Sequence, residues 1–299
     1  MHSYSFVHLT DTHIGEGIAD YGTEGYIDEP PAGDVGYSAE RLRKAVNWIN
    51  KHADSLRIKF VIVSGDLTDS GERSEYRKAK EILDALKIPY IPMIGNHDMW
   101  PYTLAHEAPN PSGDSLLNEV FKSTFEKLQQ TFPSWDNGTR LHRVWNPVSQ
   151  NFNYLQNYSF RYNKQTFIMS DWGTRIPAKD ELRGVGPLAE THRFKDGTFD
   201  WIDKQLAESA ADENVLIFSH HPLTPFIRNW FSFPDKAYKT IARMFLPHKN
   251  KVAYWFSGHY HRDSHSGITA KGKRIGTCIE TGANKKYKDG HFRLVKVWE

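Results

Sequence analysis

The chain has 299 residues, of which 39% are hydrophobic and 25% are charged, and its formal net charge is +2 at pH 7. This composition excludes a membrane-spanning or disordered protein, because the apolar runs are short and the charge is nearly balanced. The small net charge also gives no electrostatic reason to expect nucleic acid as a partner.

The N-terminus and the cysteine content bear on the cellular compartment. The first residues, MHSYSFVHLTD, enter a strand-like pattern without a basic and apolar leader, so we expect no signal peptide. Cys278 is the single cysteine, which excludes an internal disulfide framework and suits a reducing compartment. We therefore expect a cytoplasmic protein without a membrane partner.

Strands and helices are predicted to alternate in the first part of the chain. The segment SFVHLT, at 5–10, is typical of a strand. A helix capped by Ser38 follows, because Leu42, Ala45, Val46 and Ile49 recur at helical spacing. KFVIVSGD is predicted to be a buried strand, a second helix begins at Ser74, and IPYIPMIGNHD contains the next strand.

The later part of the chain is predicted to be richer in strands. A third helix carries the apolar stripe Leu117, Val120, Phe121, Phe125 and Leu128. Two strands then surround a turn near Asn163, followed by a helix from about Phe199 and the strand NVLIFSHHP. A helix near 236–246, the strand VAYWFSGHYH and further strands complete the chain. This order predicts a layered α/β fold with mixed β-sheets packed together and flanked by helices.

Five polar clusters each follow a predicted strand. They are Asp11-Thr12-His13, Gly65-Asp66-Leu67-Thr68-Asp69, Gly95-Asn96-His97-Asp98, Ser219-His220-His221-Pro222 and Gly258-His259-Tyr260-His261. Because ligands of α/β sheets bind beyond the carboxyl ends of the strands, we expect the clusters to converge. Carboxylate, imidazole and amide groups without thiolate suit ions such as Mn, Fe or Zn, and argue against a cysteine-type structural zinc site. In extended backbone, the i, i+2 pairs Asp11/His13 and His259/His261 would each face one centre.

The five clusters, in this order, resemble the sequence blocks of the calcineurin-like metallophosphoesterase family. Those blocks are DxH, GDxxD, GNH(D/E), a single His after a strand, and GHxH, and all occur between residues 11 and 261. The resemblance implies one domain over 1–299 with two divalent or mixed-valence metal ions, drawn from Mn, Fe, Zn and Ni. It implies that one metal is held by Asp11, His13 and His261, the second by Asn96, His220 and His259, and that Asp66 bridges the two.

The resemblance also implies a mechanism in which a hydroxide that bridges the metals is the nucleophile. His97 would protonate the departing oxygen, and the Asp69 carboxylate would orient the His97 ring and keep it protonated near neutral pH. The ligand from the fourth cluster is open between two neighbours, since His220 and His221 would point to opposite sides of an extended chain. The family pattern through Pro222 favours His220.

The implied activity is hydrolysis of a small-molecule phosphoester, with a nucleotide as one candidate substrate. The pattern is closest to class III cyclic nucleotide phosphodiesterases and small-molecule phosphatases, and the sequence does not choose between diester and monoester. Cap or pocket insertions are expected near 15–37, 99–155 and 223–235, where most aromatic side chains pack and Trp100 is the best candidate for facing substrate. The basic residues of 271–288 are expected to form a solvated hairpin face, and the sequence does not indicate an oligomeric state.

Other readings account for less of the sequence. The metallo-β-lactamase signature HxHxDH begins at His259 but meets Ser264 where the last His is required. A Ser/Thr protein phosphatase would carry Arg in place of Ser70. A nuclease of the same superfamily gains no support from the weak net charge, and a non-catalytic scaffold would have lost ligands, of which none is missing here.

Overall fold

The computed structural model describes residues 3–17, 36–99, 113–175, 188–210, 212–224 and 231–298. The strands are β1 (Tyr4–Leu9), β2 (Ile58–Val63), β3 (Tyr90–Pro92), β4 (Arg143–Asn146), β5 (Asn151–Tyr154), β6 (Tyr158–Tyr162), β7 (Gln165–Met169), β8 (Asn214–Phe218), β9 (Val252–Ser257), β10 (Ser264–Ala270), β11 (Lys273–Glu280) and β12 (Arg293–Val297). The α-helices are α1 (Gly36–His52), α2 (Arg73–Leu83), α3 (Gly113–Val120), α4 (Lys122–Thr131), α5 (Thr198–Glu208) and α6 (Asp235–Phe245). Short 3₁₀ turns span Leu246–His248 and Asn284–Lys286.

Two mixed sheets form the body of the molecule. The first has the order β12-β1-β2-β3, with β1, β2 and β3 parallel and β12 antiparallel to β1. The second has the order β10-β11-β9-β8-β7-β6, in which β7, β8, β9 and β11 are parallel and the two edge strands are antiparallel. The prediction of packed mixed sheets is therefore confirmed.

The two sheets pack face to face through aromatic side chains. Phe6 of β1 is completely buried, with its ring centroid 5.6 Å from that of Phe167 in β7 and 5.9 Å from those of Phe218 in β8 and Phe256 in β9. Edge-to-face ring pairs of this kind bury large apolar areas and add a modest directional preference. The inner faces of the two sheets thus share one core.

Helices cover the outer faces of both sheets. The predicted stripe of α1, which includes Leu42, Ala45 and Ile49, is fully buried in the same core as β1 and β2. A second core joins α5 and α6 to the other sheet around Trp255. The resulting order of layers is the flanked α/β arrangement predicted from the alternation of elements.

Two local features differ from the sequence-based prediction. The third predicted helix is divided into α3 and α4, because Phe121 leaves helical geometry at φ −91° and ψ 13°. The apolar stripe continues across this break, so periodicity alone does not reveal it. The antiparallel hairpin of β4 and β5, within the predicted insertion 99–155, was not anticipated.

Some predicted features lie outside the described residues. They include 18–35, 100–112 with Trp100, and 225–230. Within the ranges that the structure describes, no helix has both the length and the apolar character needed to cross a membrane.

Candidate metal centre

The five polar clusters lie at the carboxyl ends of β1, β2, β3, β8 and β9, as predicted. The first sheet contributes Asp11, His13, Asp66 and Asn96, which are all buried. The second sheet contributes His220, which is buried, together with His259 and His261, which are partly exposed. The predicted residues therefore meet where the two sheets face one another.

Backbone with positive φ, not extended backbone, turns many of these side chains toward one another. The φ angles are 54° at Asp11, 44° at His13, 48° at Asp66, 80° at His259 and 57° at His261. The expectation that the two i, i+2 pairs converge from extended backbone is therefore wrong. Non-glycine residues in this region are strained and persist only where the surroundings fix them. Here the amide of His13 donates to the Asp66 carbonyl at 3.0 Å, which fixes one such turn.

A glycine lets the loops after β2 and β3 approach closely. Gly65 has a φ of +91°, and a Cβ atom there would lie 2.7 Å from the backbone nitrogen of Gly95. A side chain at 65 would therefore push Asp66 away from the loop that carries Asn96 and His97.

One group of candidate ligands consists of Asp11, His13, Asp66 and His261, whose ligand atoms all lie within 4.8 Å of one another. His261 Nε2 is 3.2 Å from Asp11 Oδ1, and His13 Nε2 is 3.5 Å from Asp66 Oδ2. Carboxylate and imidazole atoms converging at these distances could hold a metal ion.

A second group consists of Asp66, His220 and His259, again within 4.8 Å. His220 Nε2 is 3.1 Å from Asp66 Oδ2 and 3.1 Å from His259 Nδ1. Asp66 belongs to both groups, and the same oxygen faces His13 and His220. A single carboxylate thus lies between two candidate metal positions.

Hydrogen bonds orient three of the imidazole rings. The Nδ1 atoms of His13 and His220 donate to Asp69 Oδ1 at 2.8 Å and to the Ser64 carbonyl at 3.0 Å. His259 donates through Nε2 to the carbonyl of Phe231. Carbonyl and carboxylate oxygens can only accept, so in the neutral form of each ring the other nitrogen is the one that could bind a metal.

Two buried polar atoms support the fit of this site to metal. Among the described residues, neither His13 Nε2 nor Asn96 Oδ1 has a hydrogen-bond partner. Buried polar atoms without partners are uncommon because their desolvation is uncompensated. A cation bound to these atoms would supply the missing interaction.

The charges within the cluster shift the pKa values of its members. Burial alone would raise the pKa of Asp11, but the hydrogen bond with His261 and the charge of His220 hold it well below its usual range. Although burial opposes it, the negative charge of Asp66 raises the pKa of His220 to about 9. A bound metal would have to displace the proton that the carboxylates draw onto His220, so metal affinity should depend on pH.

Asp69 does not use its carboxylate as predicted. That carboxylate accepts the hydrogen bond from His13, whereas His97 Nδ1 donates to the main-chain carbonyl of Asp69 at 2.6 Å and is 3.8 Å from Asp69 Oδ1. The His13 and His97 rings are in contact, with centroids 4.5 Å apart. Asp69 thus contacts both rings, but its side chain hydrogen-bonds to His13.

His220, and not His221, belongs to the candidate metal groups found among the described residues. The His221 ring is buried, with its centroid 4.7 Å from that of His259 and 6.5 Å from that of Phe233. This placement agrees with the preference for His220 that the sequence pattern indicated.

Sequence reasoning missed the contacts that hold the loops together. The Asp98 carboxylate accepts hydrogen bonds from the main-chain amides of Leu67, Thr68 and Gly95 at 3.1, 2.9 and 2.8 Å. Burial raises the pKa of Asp98 to about 6. The carbonyls of Ser64 and Phe231 were also missed, since a main-chain acceptor leaves no signal in residue type. The one clue in the sequence was the position of Asp98 directly after GNH.

Comparison with known proteins finds similar phosphoesterases. A model of the calcineurin-like phosphoesterase family matches residues 4–263. The chain is 29% identical over 268 residues to a probable cyclic nucleotide phosphodiesterase of Rhodopseudomonas palustris, covering 86% of this chain and 71% of that protein. It is 25% identical over 221 residues to a probable glycerophosphodiester phosphodiesterase, GpdQ, of Arcobacter nitrofigilis, covering 72% of this chain and 56% of that protein.

A solved structure shows the same fold. The purple acid phosphatase PPD1 from seeds of yellow lupin, Lupinus luteus, matches with a TM-score of 0.50 at 15% sequence identity. The match covers 99% of this chain and 46% of the lupin chain. This chain therefore spans less than half of the lupin protein, and at this identity the likeness extends to the fold alone.

Proposed function

Since this chain belongs to the calcineurin-like phosphoesterase family and is a phosphoric ester hydrolase, we propose that it hydrolyses small-molecule phosphodiesters at a dinuclear metal centre. Diesters are favoured over monoesters because the Rhodopseudomonas and Arcobacter relatives are both named as probable phosphodiesterases. A nucleotide and a glycerol diester are the two substrate types that those names suggest.

The observation that carries the dinuclear proposal is the position of Asp66. Its carboxylate is common to the group of Asp11, His13 and His261 and to the group of His220 and His259. Two ions that share one carboxylate lie close enough to act on a single phosphoryl group.

The proposed ligands follow from the two groups. Asp11, His13 and His261 would hold one ion, Asn96, His220 and His259 the other, and Asp66 both. When bound, the metal ions supply Lewis acidity and a nucleophile derived from water at neutral pH. Asn96 is neutral, so it offers a ligand oxygen without cancelling the positive charge that attracts a phosphoryl group.

His97 is proposed to deliver a proton to the departing oxygen. Its amide donates to Asp66 Oδ1 at 3.0 Å, and its Nδ1 donates to the Asp69 carbonyl, so proton delivery falls to Nε2. General acid catalysis of this kind is worth roughly 10²- to 10⁴-fold in rate.

The described part of the insertion near 223–235 supports a role beside the site. The carbonyl of Phe231 binds His259, and the Phe231 side chain is 51% exposed. Phe233 instead packs against Trp172 and Trp255, as expected for most of the aromatic residues. The pocket-wall role of the three insertions and the single-domain organisation over 1–299 stay predictions.

The decisive test combines metal analysis with a substrate panel. Chelator-stripped protein would be reconstituted with Mn, Fe, Zn or Ni in turn and assayed on cyclic nucleotides, glycerophosphodiesters, bis(p-nitrophenyl) phosphate and matched monoesters. We expect two ions per chain and faster turnover of at least one diester than of the monoesters. A fully loaded protein that hydrolyses only monoesters would contradict the diester assignment, and one ion per chain at saturation would contradict the dinuclear centre.

A further inference from the structure

A lysine from the C-terminal part of the chain lies beside the candidate metal centre. The 3₁₀ turn Asn284–Lys286 is bound to the loop after β1, because the amides of Asn284 and Lys285 donate to the carbonyls of Thr10 and Asp11 at 3.0 and 3.3 Å. The expectation that all basic residues of 271–288 form a solvated hairpin face is therefore wrong for Lys285, which is partly buried and lies outside the hairpin, whereas Lys286 of the same turn is exposed. It holds for 271–274, at the tip of the β10–β11 hairpin, where the residues are exposed.

The Lys285 ammonium is held in place by Glu16. Lys285 Nζ is 3.1 Å from Glu16 Oε1, and the two side chains are 14% and 29% exposed. Glu16 belongs to the same loop as the proposed ligands, since its amide donates to the His13 carbonyl at 3.2 Å. Both members of the ion pair are thus attached through the backbone to the segment that carries Asp11 and His13.

The ion pair offers hydrogen-bond donors to a ligand. The Glu16 carboxylate also interacts with the hydroxyls of Tyr37 and Ser38, so its acceptor sites are largely used. An ammonium group has three donors, and within the described ranges the one hydrogen bond of Lys285 Nζ is to Glu16. Its remaining N–H groups suit an oxygen acceptor, and most of all an anionic one.

Hydrogen bonds place this turn beside the side of the centre formed by Asp11, His13 and His261. The Lys285 amide donates to the Asp11 carbonyl, and the neighbouring Lys286 donates through Nζ to the His261 carbonyl, both at 3.3 Å.

We propose that Lys285, positioned by Glu16, binds a second anionic group of the substrate, a carboxylate or a phosphate that lies beyond the reacting phosphoryl group. This inference rests on the proposed function, in which the metal ligands hold the reacting group. The ligands from the first sheet are buried, whereas Lys285 is partly exposed at the rim, so it meets the substituent that projects outward. It therefore selects esters whose alcohol part carries negative charge.

The test uses inert phosphonates, so that binding is read without turnover. Protein loaded with Mn²⁺ would be titrated calorimetrically with 3-phosphonopropionate, with 1,3-propylenediphosphonate and with propylphosphonate, which lacks the second anion. We expect at least one of the two probes that carry a second anionic group to bind roughly tenfold more tightly than propylphosphonate. This factor is the lower end of the contribution of a hydrogen bond to a charged group. The affinities of 3-phosphonopropionate and 1,3-propylenediphosphonate show whether a carboxylate or a phosphate is the preferred second group.

Variants assign the preference to Lys285. Lys285→Met should abolish it while leaving propylphosphonate affinity, metal content and melting temperature unchanged, and Lys285→Arg should retain it. Lys273→Met, the same change on the exposed hairpin, should behave as wild type. Equal affinities in wild type, or a preference that survives Lys285→Met, would overturn the inference. A protein that hydrolyses no phosphoester but keeps the Lys285-dependent preference would refute the proposed function and leave this inference standing.

Discussion

At the scale of single residues, Asp66 has the largest predicted effect on metal content. Its Oδ2 atom lies 3.5 Å from His13 Nε2 and 3.1 Å from His220 Nε2, so one oxygen faces both candidate metal positions. We expect Asp66→Ala to retain at most one weakly bound ion and little activity, as measured by elemental analysis after desalting. Asp54→Ala, which removes an exposed carboxylate, is the control. Two tightly bound ions in Asp66→Ala would show that this carboxylate does not bridge.

His97 should affect the reaction without affecting the metals. Since it is proposed to protonate the leaving oxygen, its importance should grow with the pKa of the leaving alcohol. We expect His97→Ala to lose roughly 10²- to 10⁴-fold in kcat on an alkyl diester and clearly less on a p-nitrophenyl ester, with normal metal content. Equal losses on both esters would indicate stabilisation of charge in the transition state, and loss of metal would make His97 a ligand.

Substitution of Asp69 tests whether its carboxylate serves His13, as in the structure, or His97, as predicted from the sequence. Its carboxylate accepts from His13 Nδ1 at 2.8 Å, an arrangement that orients a metal-binding imidazole. We expect Asp69→Asn to weaken metal affinity by roughly 10- to 100-fold, measured by competition with a chelating dye. If Asp69→Asn instead kept its metals and reproduced the leaving-group dependence of His97→Ala, the side chain would serve His97 after all.

At the scale of elements, a buried ion pair joins the loop after β7 to helix α3. Arg175 NH2 is 2.6 Å from Asp171 Oδ2, and Arg175 Nε is 3.6 Å from Asp114 Oδ2, with all three side chains buried. Arg175→Met leaves these carboxylates without their cation, so we expect the free energy of unfolding to fall by about 3–5 kcal/mol in urea denaturation.

The exposed pair of Arg161 and Glu213 offers a matched comparison. Its atoms are 3.4 Å apart and the Arg161 side chain is 52% exposed, so Arg161→Met should change the free energy of unfolding by less than about 1 kcal/mol. Similar losses in the two variants would mean that burial does not govern the contribution of these arginines.

At the scale of elements, sequence reasoning succeeded in placing the polar clusters directly after the strands. Apolar runs located the starts of β1, β2, β8 and β9 to within a residue, although three of the predicted segments run past the strand ends by three or four residues. The polar residue types after these strands then predicted that the clusters with Asp11, Asp66, His220 and His259 converge. The positive φ angles could not be predicted, because they depend on contacts between loops far apart in sequence.

Main-chain acceptors were equally hidden from the sequence. The GDxxD pattern pointed to Asp69 as a partner of His97, yet the His97 contact uses the Asp69 carbonyl, which any residue could supply. The two halves of the third helix were likewise merged, since the apolar stripe of Phe121 and Phe125 does not depend on where the backbone breaks.

At the scale of the whole molecule, a buried histidine should make stability depend on pH. His8 in β1 is hydrogen-bonded to Ser64 Oγ at 2.7 Å and to Thr281 Oγ1 at 2.8 Å. Burial, aided by the charge of Arg293 and opposed by Asp11, lowers the pKa of His8 to about 3. Below the ordinary pKa of 6.5 the unfolded chain takes up a proton that the folded chain refuses, so stability falls as the pH drops from about 6.5 to about 3.

His8→Gln tests this dependence, since it keeps a polar side chain without a titrating group. Below pH 6.5 the wild type should lose about 1.4 kcal/mol of unfolding free energy per pH unit relative to the variant. Urea denaturation in the presence of chelator, from pH 7 to pH 4, removes the contribution of metal release, and the difference from the variant removes that of the other titrating groups. Parallel curves for the two proteins would assign the acid sensitivity to other groups.

The pairing of β12 with β1 has a consequence for how the molecule is made on the ribosome. Strand β1 and the carboxylates of Asp11 and Asp66 emerge early, whereas His259, His261 and the partner strand at Arg293–Val297 emerge last. Until His261 is made, Asp11 lacks the imidazole that contacts it at 3.2 Å, so its repulsion with Asp66 is less fully offset and opposes closure of the site. We therefore expect metal capture to follow the synthesis of β12, so that a half-made chain does not lock a metal into an incomplete coordination shell.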